Sequence, residues 1–544
     1  MPQNLIADTL EKLRAMTRSS IQHHWRSCTE NIPPESATKP ETWDNWEIAT
    51  TNHKDHIAWD KGRKVIWLGQ NLTVPHHLNK YPLAGLSLQL CLTWWAEAAQ
   101  IFVNGVLVQE GDLFDFNVRV LLSQTVTPGE TFAITVKLIS PGHDAGALVK
   151  SSLWYETPEY GEIDPGFVAD ELEVLQILHP QIEEILQNAV KMIDWAVVSD
   201  GAAFAETLQS LRQHLQTQIN PPPGKIHLLG HSHLDMAWLW PLSETWTAAD
   251  RTFTSVLQLM QDFPELTFCH TTAALYEWVE THIPELFAAI KQRLNQGKWE
   301  IVAPLWIEPE LNIIDGESII RQIIYAQRYC QEKFHLLSPV AWVPDSFGFC
   351  WQLPQILTQG GIQYFVTQKL RWNDTTKFPH GYFWWQSPDG SRIFSLMSAL
   401  IGESIDPVKM ATNLSQWQAQ THNQDLLWLP GVGDKGGGPT RDMLETARRW
   451  QKSPFFPPMQ FTTAATYLQQ LASSTEPSQI PIWNDELYLE FHRGCYTTHG
   501  EQKRYLRRCE TLLYQAELYS SLATIIANQP YPQQEIETAW KQVL

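Results

Sequence analysis

The stretch from Ile226 to Pro241 constrains this chain most. Ile226-His227-Leu228-Leu229 is a short, wholly apolar run broken by one imidazole, the pattern of a strand buried on both faces, and it opens into Gly230-His231-Ser232-His233-Leu234-Asp235. Side chains two apart on an extended backbone point the same way, so His233 and Asp235 are predicted to reach one metal ion together. Trp238 and Trp240 follow, flat rings suited to the apolar face of a sugar. His227, inside the apolar run, reads as a core histidine.

The rest of the chain gives that strand a setting. Between Glu41 and Trp154 short apolar segments alternate with turn signals, and Asn104-Gly105 between two apolar runs predicts a hairpin, so this part is expected to be an antiparallel β-sandwich. From Ala169 to about Leu215 the period becomes helical, until Pro221-Pro222-Pro223-Gly224 breaks it. From Lys225 to about Leu471 short strands alternate with helical stretches such as Thr252–Asp262 and Tyr276–Gly297, the pattern of an α/β parallel sheet or barrel. Beyond Glu501 the pattern is helical again and still helical at Leu544, as if unfinished. The expected parts are an N-terminal helix and linker (1–40), a β-sandwich (41–160), a helical linker (161–222), a catalytic α/β domain (223–475) and a partial helical bundle (476–544).

In an α/β sheet, functional side chains gather at the carboxyl ends of strands. Three predicted strands deliver an Asp there: the first ends at His233 and Asp235, Val340-Ala341-Trp342-Val343-Pro344 leads to Asp345, and Leu426-Leu427-Trp428-Leu429-Pro430 leads into Gly431-Val432-Gly433-Asp434-Lys435-Gly436-Gly437-Gly438-Pro439-Thr440. Catalytic zinc takes about three protein ligands and an open position, and His233, Asp235 and Asp345 supply three. Any one of these Asp residues, taken singly, reads as well as a helix N-cap; their coincidence on one α/β pattern favours a site. The glycine-rich stretch lacks the G-x-x-x-x-G-K-[ST] order of a phosphate loop, because Lys435 precedes its last three glycines.

Taken together these segments resemble the amino-terminal half of glycoside hydrolase family 38 α-mannosidases of the cytosolic and bacterial type. The resemblance runs through the motifs above and through Trp306-Ile307-Glu308-Pro309-Glu310-Leu311-Asn312, Gly316 to Gln322, Trp342 to Gly348, Lys369-Leu370-Arg371-Trp372-Asn373 and Glu486 to Thr498. It implies a (β/α)7 barrel-like catalytic domain behind a β-sandwich, and a retaining exo-hydrolase of terminal α-linked mannose. It also implies zinc, with cobalt as a possible substitute, held by His233, Asp235 and Asp345, with Asp345 as nucleophile. Asp434, in the glycine-rich loop, is the candidate acid/base, and substrate contacts are expected at His231, Trp238, Trp306, Lys369, Trp372 and Tyr496, with His231 open to a role behind the ligands instead. Three departures from the family pattern stand out. Glu310 takes the place of an Asp, Lys435 replaces a glycine, and the family's fourth zinc ligand is a His in a helix expected to begin about where Leu544 stands. His492 and His499 lie in a stretch that resembles a sugar-side segment and not a ligand motif.

Charge and cysteines narrow the partners. With 39 basic and 59 acidic residues the formal charge is −20, which argues against nucleic acid or an anionic membrane and suits a neutral mannosyl oligosaccharide or small α-mannoside. Seven scattered cysteines without a C-x-x-C pair and an N-terminus without an apolar signal segment point to the cytoplasm. The other readings are a non-catalytic mannoside-binding remnant, one half of a split enzyme completed by a separate C-terminal chain, and a metal-dependent deacetylase or phosphoesterase, which leaves the Trp342–Gly348 and Phe491–Thr498 matches unexplained.

Overall fold

The computed structural model describes residues 5–112, 117–158, 163–433 and 436–544. They divide into two compact units, one comprising 1–223 with 406–415 and 445–457, the other 224–405 with 416–444 and 458–544.

The first unit is built on two antiparallel sheets. One runs Arg18–Ser20, Gly146–Glu156, Ser87–Trp95, Asn117–Ser123, with Ile57–Trp59 also on Gly146–Glu156; the other runs Val106–Asp112, Ala98–Val103, Thr131–Ile139, Val65–Thr73, Arg26–Cys28, Glu47–Ile48. The hairpin at Asn104-Gly105 has positive φ at both residues, 51° and 79°, the twist that matches antiparallel strands. Alternate residues from both sheets, among them Leu88, Leu90, Leu92, Ile66, Leu68, Ile134 and Val136, meet in one core. The helices Pro165–Leu178, Glu183–Val190 and Gly201–Gln218 bury Leu172, Leu175, Leu186, Phe204, Leu208 and Leu211 in that same core, so the segment expected to be a linker is part of the unit's interior.

The second unit alternates strands and helices. Ile226–Leu228 lies between Leu426–Trp428 and Met459–Phe461, all parallel; Gly230–His231 pairs in parallel with Phe268–His270, and that with Trp299–Ile301. Val340–Trp342, Tyr364–Thr367 and Arg392–Met397 are parallel neighbours, extended by the antiparallel Tyr382–Gln386 and then Ile482–Trp483. Among the described residues these strands register as three sheets and not as one continuous ring. Local chemistry breaks the expected Tyr276–Gly297 helix in two, Ala273–His282 and Pro284–Asn295, because Pro284 has no N–H to continue the first.

The segment from 476 mixes a strand with helices. Gly500–Ala527 buries only Glu510, whose carboxylate accepts from Asp315 N at 3.0 Å and Ser318 Oγ at 2.6 Å, while Leu512, Leu518, Ile525 and Ile526 are exposed. Gln533–Val543 buries Ile536 and Trp540 instead. Among the described residues, no helix is long and apolar enough to cross a membrane.

Candidate metal centre and active site

The carboxyl ends of the second unit's strands converge on a cleft of about 160 Å³ lined by His233, Asp235, Thr271, Thr272, Glu308, Glu310, Asp345 and Phe347, among others. His233 and Asp235 follow the end of Gly230–His231, and Asp345 comes three residues after Val340–Trp342. Donor atoms of the three all lie within 4.8 Å of one another, with His233 Nε2 3.4 Å from Asp235 Oδ1 and 3.7 Å from Asp345 Oδ2. That spacing fits a common cation: ligands about 2.1 Å from a tetrahedral ion sit about 3.4 Å apart. His233 Nε2 is buried and has no hydrogen-bond partner, a cost that a metal ion bound there removes. Burial pushes this imidazole's pKa down, but Asp235 and Asp345 outweigh it and hold it well above the ordinary value, so a metal ion must displace a proton from it.

The turn carrying Asp235 is pinned by Thr245. Its hydroxyl donates to Asp235 O at 2.9 Å and accepts from Ala237 N and Trp240 Nε1, both at 3.1 Å. Ala237 sits at φ 63°, a conformation that costs a residue with a Cβ of order 1 kcal/mol and is held by these bonds. Trp240 is buried, and Trp238, 54% exposed, stands edge-on to it with ring centroids 5.7 Å apart.

The loop of Asp345 is fastened from several sides. Glu308 Oε1 accepts from Asp345 N at 2.5 Å and Ser346 N at 2.7 Å, Ser346 Oγ donates to Pro309 O, Gln368 donates to Pro344 O, and Tyr496 Oη donates to Phe347 O at 2.6 Å. Gly348 takes φ 106°, and a Cβ there would lie 2.9 Å from Asn312 Nδ2, so only glycine completes this turn. Lys369, fully buried, donates to Asp345 Oδ1 and lies over the rings of Trp372 at 3.8 Å and Phe347 at 4.9 Å. Burial raises the Asp345 pKa, but His233 and then Lys369 more than reverse this and bring it to about 2. Glu308 goes the other way, up to about 7, because burial and the nearby Asp345 charge outweigh His233 and the two backbone donors. The site therefore holds one carboxylate firmly ionised beside one poised near neutrality.

The remaining expected site residues divide. Trp372 is 43% exposed and Tyr496 also reaches Asn312, at 3.2 Å, both on the Lys369 and Phe347 side of the site. Trp306 does not reach it: its indole is buried in the core, with Lys541 Nζ 4.5 Å over the ring, which corrects the expectation of a sugar contact. His231 likewise points inward, its ring 5.4 Å from that of Trp342 and its Nδ1 3.6 Å from Cys269 Sγ. Asp434 and Lys435 lie outside the described residues. The glycines around them bring that loop close to the metal strand, since a Cβ on Gly431 would lie 2.2 Å from His231 O. Sequence reasoning passed over Glu308; it lies in the loop seven residues after the strand Trp299–Ile301, and only the fold aims its carboxylate at the Asp345 amide.

The profile of the "Glycosyl hydrolases family 38 N-terminal domain" matches residues 223–486, and that of the "Alpha mannosidase middle domain" matches 490–544. The chain belongs to glycosyl hydrolase family 38. Within that family, human alpha-mannosidase 2C1 is 36% identical over 325 residues, covering 59% of this chain and 31% of the relative. The alpha-mannosidase of Saccharomyces cerevisiae is 33% identical over 332 residues, again 59% of this chain and 31% of the relative. The chain thus spans about a third of the length of these family 38 relatives. The crystal structure of an alpha-mannosidase from Enterococcus faecalis V583 is similar in fold, with a TM-score of 0.50 at 22% identity over 59% of this chain and 38% of that one.

Proposed function

We propose that this family 38 chain carries the sugar-binding and nucleophilic part of a retaining exo-α-mannosidase, and that its cofactor is one zinc ion held by His233, Asp235 and Asp345. The observation that carries the reading is the orphaned, buried His233 Nε2 facing two carboxylates at ligand spacing. Bound there, zinc would act as a Lewis acid on vicinal sugar hydroxyls. The cleft's size, below the roughly 300 Å³ of a complete small-molecule site, fits one sugar ring with further walls supplied by sequence equivalent to the rest of the relatives. We read the three sheets as sectors of one barrel-like ring, because the Ile226–His231 segment belongs to two of them.

In the first step an Asp345 carboxylate oxygen attacks the anomeric carbon of a terminal α-mannoside as the bond to the leaving-group oxygen breaks, and Asp434 protonates that oxygen. In the second, the same group takes a proton from water, which cleaves the glycosyl ester with net retention. Lys369 and Glu308 act through Asp345: the ammonium keeps it ionised and the Glu308 carboxylate fixes its backbone. The exposed Trp238 and Trp372 rings are read as sugar platforms. The seven cysteines, all free, suit a reducing compartment such as the cytoplasm.

The test is metal content together with hydrolysis of an aryl α-mannoside by the wild-type chain and Asp345→Asn. Stoichiometric zinc with turnover lost in the variant supports the proposal. Zinc without turnover favours a mannoside-binding remnant, and turnover that appears only on adding a polypeptide equivalent to the rest of the relatives assigns a split enzyme. Release of acetate or phosphate in place of mannose would overturn the reading.

A further inference from the structure

The ligands His233 and Asp235 follow a strand of only two residues, so their backbone needs a hold other than a β ladder. Gly230–His231 pairs in parallel with Phe268–His270, registering Gly230 with Phe268 and His231 with Cys269, and the pairing stops there. Ser232, the next residue, has its carbonyl bonded to a side chain: His270 Nδ1 lies 3.1 Å from Ser232 O. That oxygen belongs to the planar peptide unit that also contains His233 N, so the bond fixes the plane from which the His233 side chain departs. At the other end of the segment Thr245 Oγ donates to Asp235 O at 2.9 Å. The ligand-bearing stretch is thus pinned from both ends by side chains, one from the end of the neighbouring strand and one from the helix Leu242–Asp262.

The chemistry of the bond assigns the protons of the His270 ring. A carbonyl oxygen only accepts, so Nδ1 carries the hydrogen. The ring is fully buried, edge-on to Phe253 with centroids 5.0 Å apart and to Tyr276 at 6.1 Å, and burial lowers its pKa to about 3, so the imidazole is neutral and Nε2 is bare. His270 is not a member of the ligand set formed by His233, Asp235 and Asp345. A side chain serving only to pack among these aromatic rings would be apolar, and it would leave no bare ring nitrogen in the core. What the imidazole adds there is the donor to Ser232 O.

We propose that His270 is a positioning residue for the metal centre: its Nδ1–H holds the Ser232–His233 peptide so that the His233 imidazole meets Asp235 and Asp345 at ligand spacing. This rests on the reading of those three residues as a metal site. Two substitutions separate the bond from the packing. His270→Phe keeps a ring against Phe253 and Tyr276 but has no donor, whereas His270→Asn puts an amide N–H where Nδ1 stands and leaves part of the ring's space empty. Zinc affinity is measured by chelator competition, coordination by the visible absorption of the cobalt-loaded chain, and stability by thermal unfolding of the metal-free chain. His270→Phe is expected to bind zinc about tenfold more weakly than wild type with an altered cobalt spectrum, while His270→Asn binds within about threefold of wild type although it unfolds at a lower temperature. Zinc affinity and cobalt spectrum unchanged in His270→Phe would overturn the proposal, as would losses of affinity that merely follow the losses of stability. Should His270→Phe not fold, His270→Ala decides against His270→Asn, since both leave space and only one has the donor; equal affinities overturn the proposal. A wild-type chain that takes up neither zinc nor cobalt overturns the metal reading itself and this proposal with it, whereas wild-type uptake unaffected by the substitutions overturns this proposal alone.

Discussion

The two units bury charge in opposite ways. In the first, Arg449 pairs with Asp164 and lies 3.5 Å from Glu156, which Arg119 also holds at 2.8 Å, while Arg212 grips Glu171 with two bonds of 2.7 and 2.9 Å and Ser453 donates to the same carboxylate. Each buried acid meets an arginine fork, and the network ties residues 449–453 to a helix and a strand of the same unit. In the second, several buried groups are left incomplete among the described residues: His231, His233 and His270 each have a buried Nε2 without a hydrogen bond, and Glu300 and Glu308, bonded to backbone amides and to no basic side chain, are pushed up to about 7. A folding framework satisfies its charges, whereas a site holds them unsatisfied for something that arrives later.

The contrast can be broken by measurement. The largest effect is expected from Asp345→Asn, which should lower aryl α-mannoside hydrolysis by about 10⁴-fold or more and, because buried Lys369 and His233 lose their charged partner, should also cost about 2 kcal/mol of stability at pH 7. Turnover within about tenfold of wild type in a folded variant would remove Asp345 from the nucleophile's role.

Next is metal binding. Zinc at about a hundred times its Kd should stabilise the wild-type chain by about 2.7 kcal/mol, seen as a rise in Tm, and His233→Ala should abolish the rise. Because the His233 proton must leave, affinity should weaken as pH falls, by about tenfold per unit below the raised imidazole pKa; a pH-independent affinity would remove His233 from the ligand set.

Glu156 tests the framework side. Burial alone would raise its pKa, but Arg119 and Arg449 bring it down to about 2. A depressed folded-state pKa means that its stabilisation, about 3 kcal/mol, is present above its unfolded value near 4.5 and is lost as pH falls from there toward 2. Glu156→Gln should therefore be destabilised at pH 7 in urea titrations and should lose less on acidification than wild type.

The smallest effect is expected at Glu300, whose carboxylate accepts from Ala464 N and, at 2.9 Å, from Ala465 N at the start of the Ala464–Ser474 helix. Its pKa is raised, so the folded chain holds the proton more tightly and wild-type stability falls as pH rises from about 4.5 to 7. Glu300→Gln keeps an acceptor for the helix and should gain about 2 kcal/mol on wild type at pH 8 relative to pH 5. No gain would show that the helix N-terminus compensates the charge fully.

Local chemistry made much of this legible. Alternating apolar residues and the Asn104-Gly105 turn specify the hairpin, the all-apolar runs specify buried parallel strands, and the spacing of two between His233 and Asp235 specifies that these two side chains leave the strand end together. These depend on neighbours within a few residues, which a sequence displays. Where the reading failed, the deciding contact was remote. Trp306 looked like a platform beside Glu308, but Lys541, 235 positions away in sequence, lies over its ring.

What the sequence determined by itself is therefore the order of elements and the kind of ligand set, because periodicity and turn chemistry act locally. The tertiary structure alone decided that Lys369 and His233 grip one carboxylate from two strand ends, that Glu308 holds its backbone, and that arginines from distant segments neutralise the first unit's buried acids. Those facts depend on which strands become neighbours and on the desolvation they impose, and burial has no value until the chain has folded.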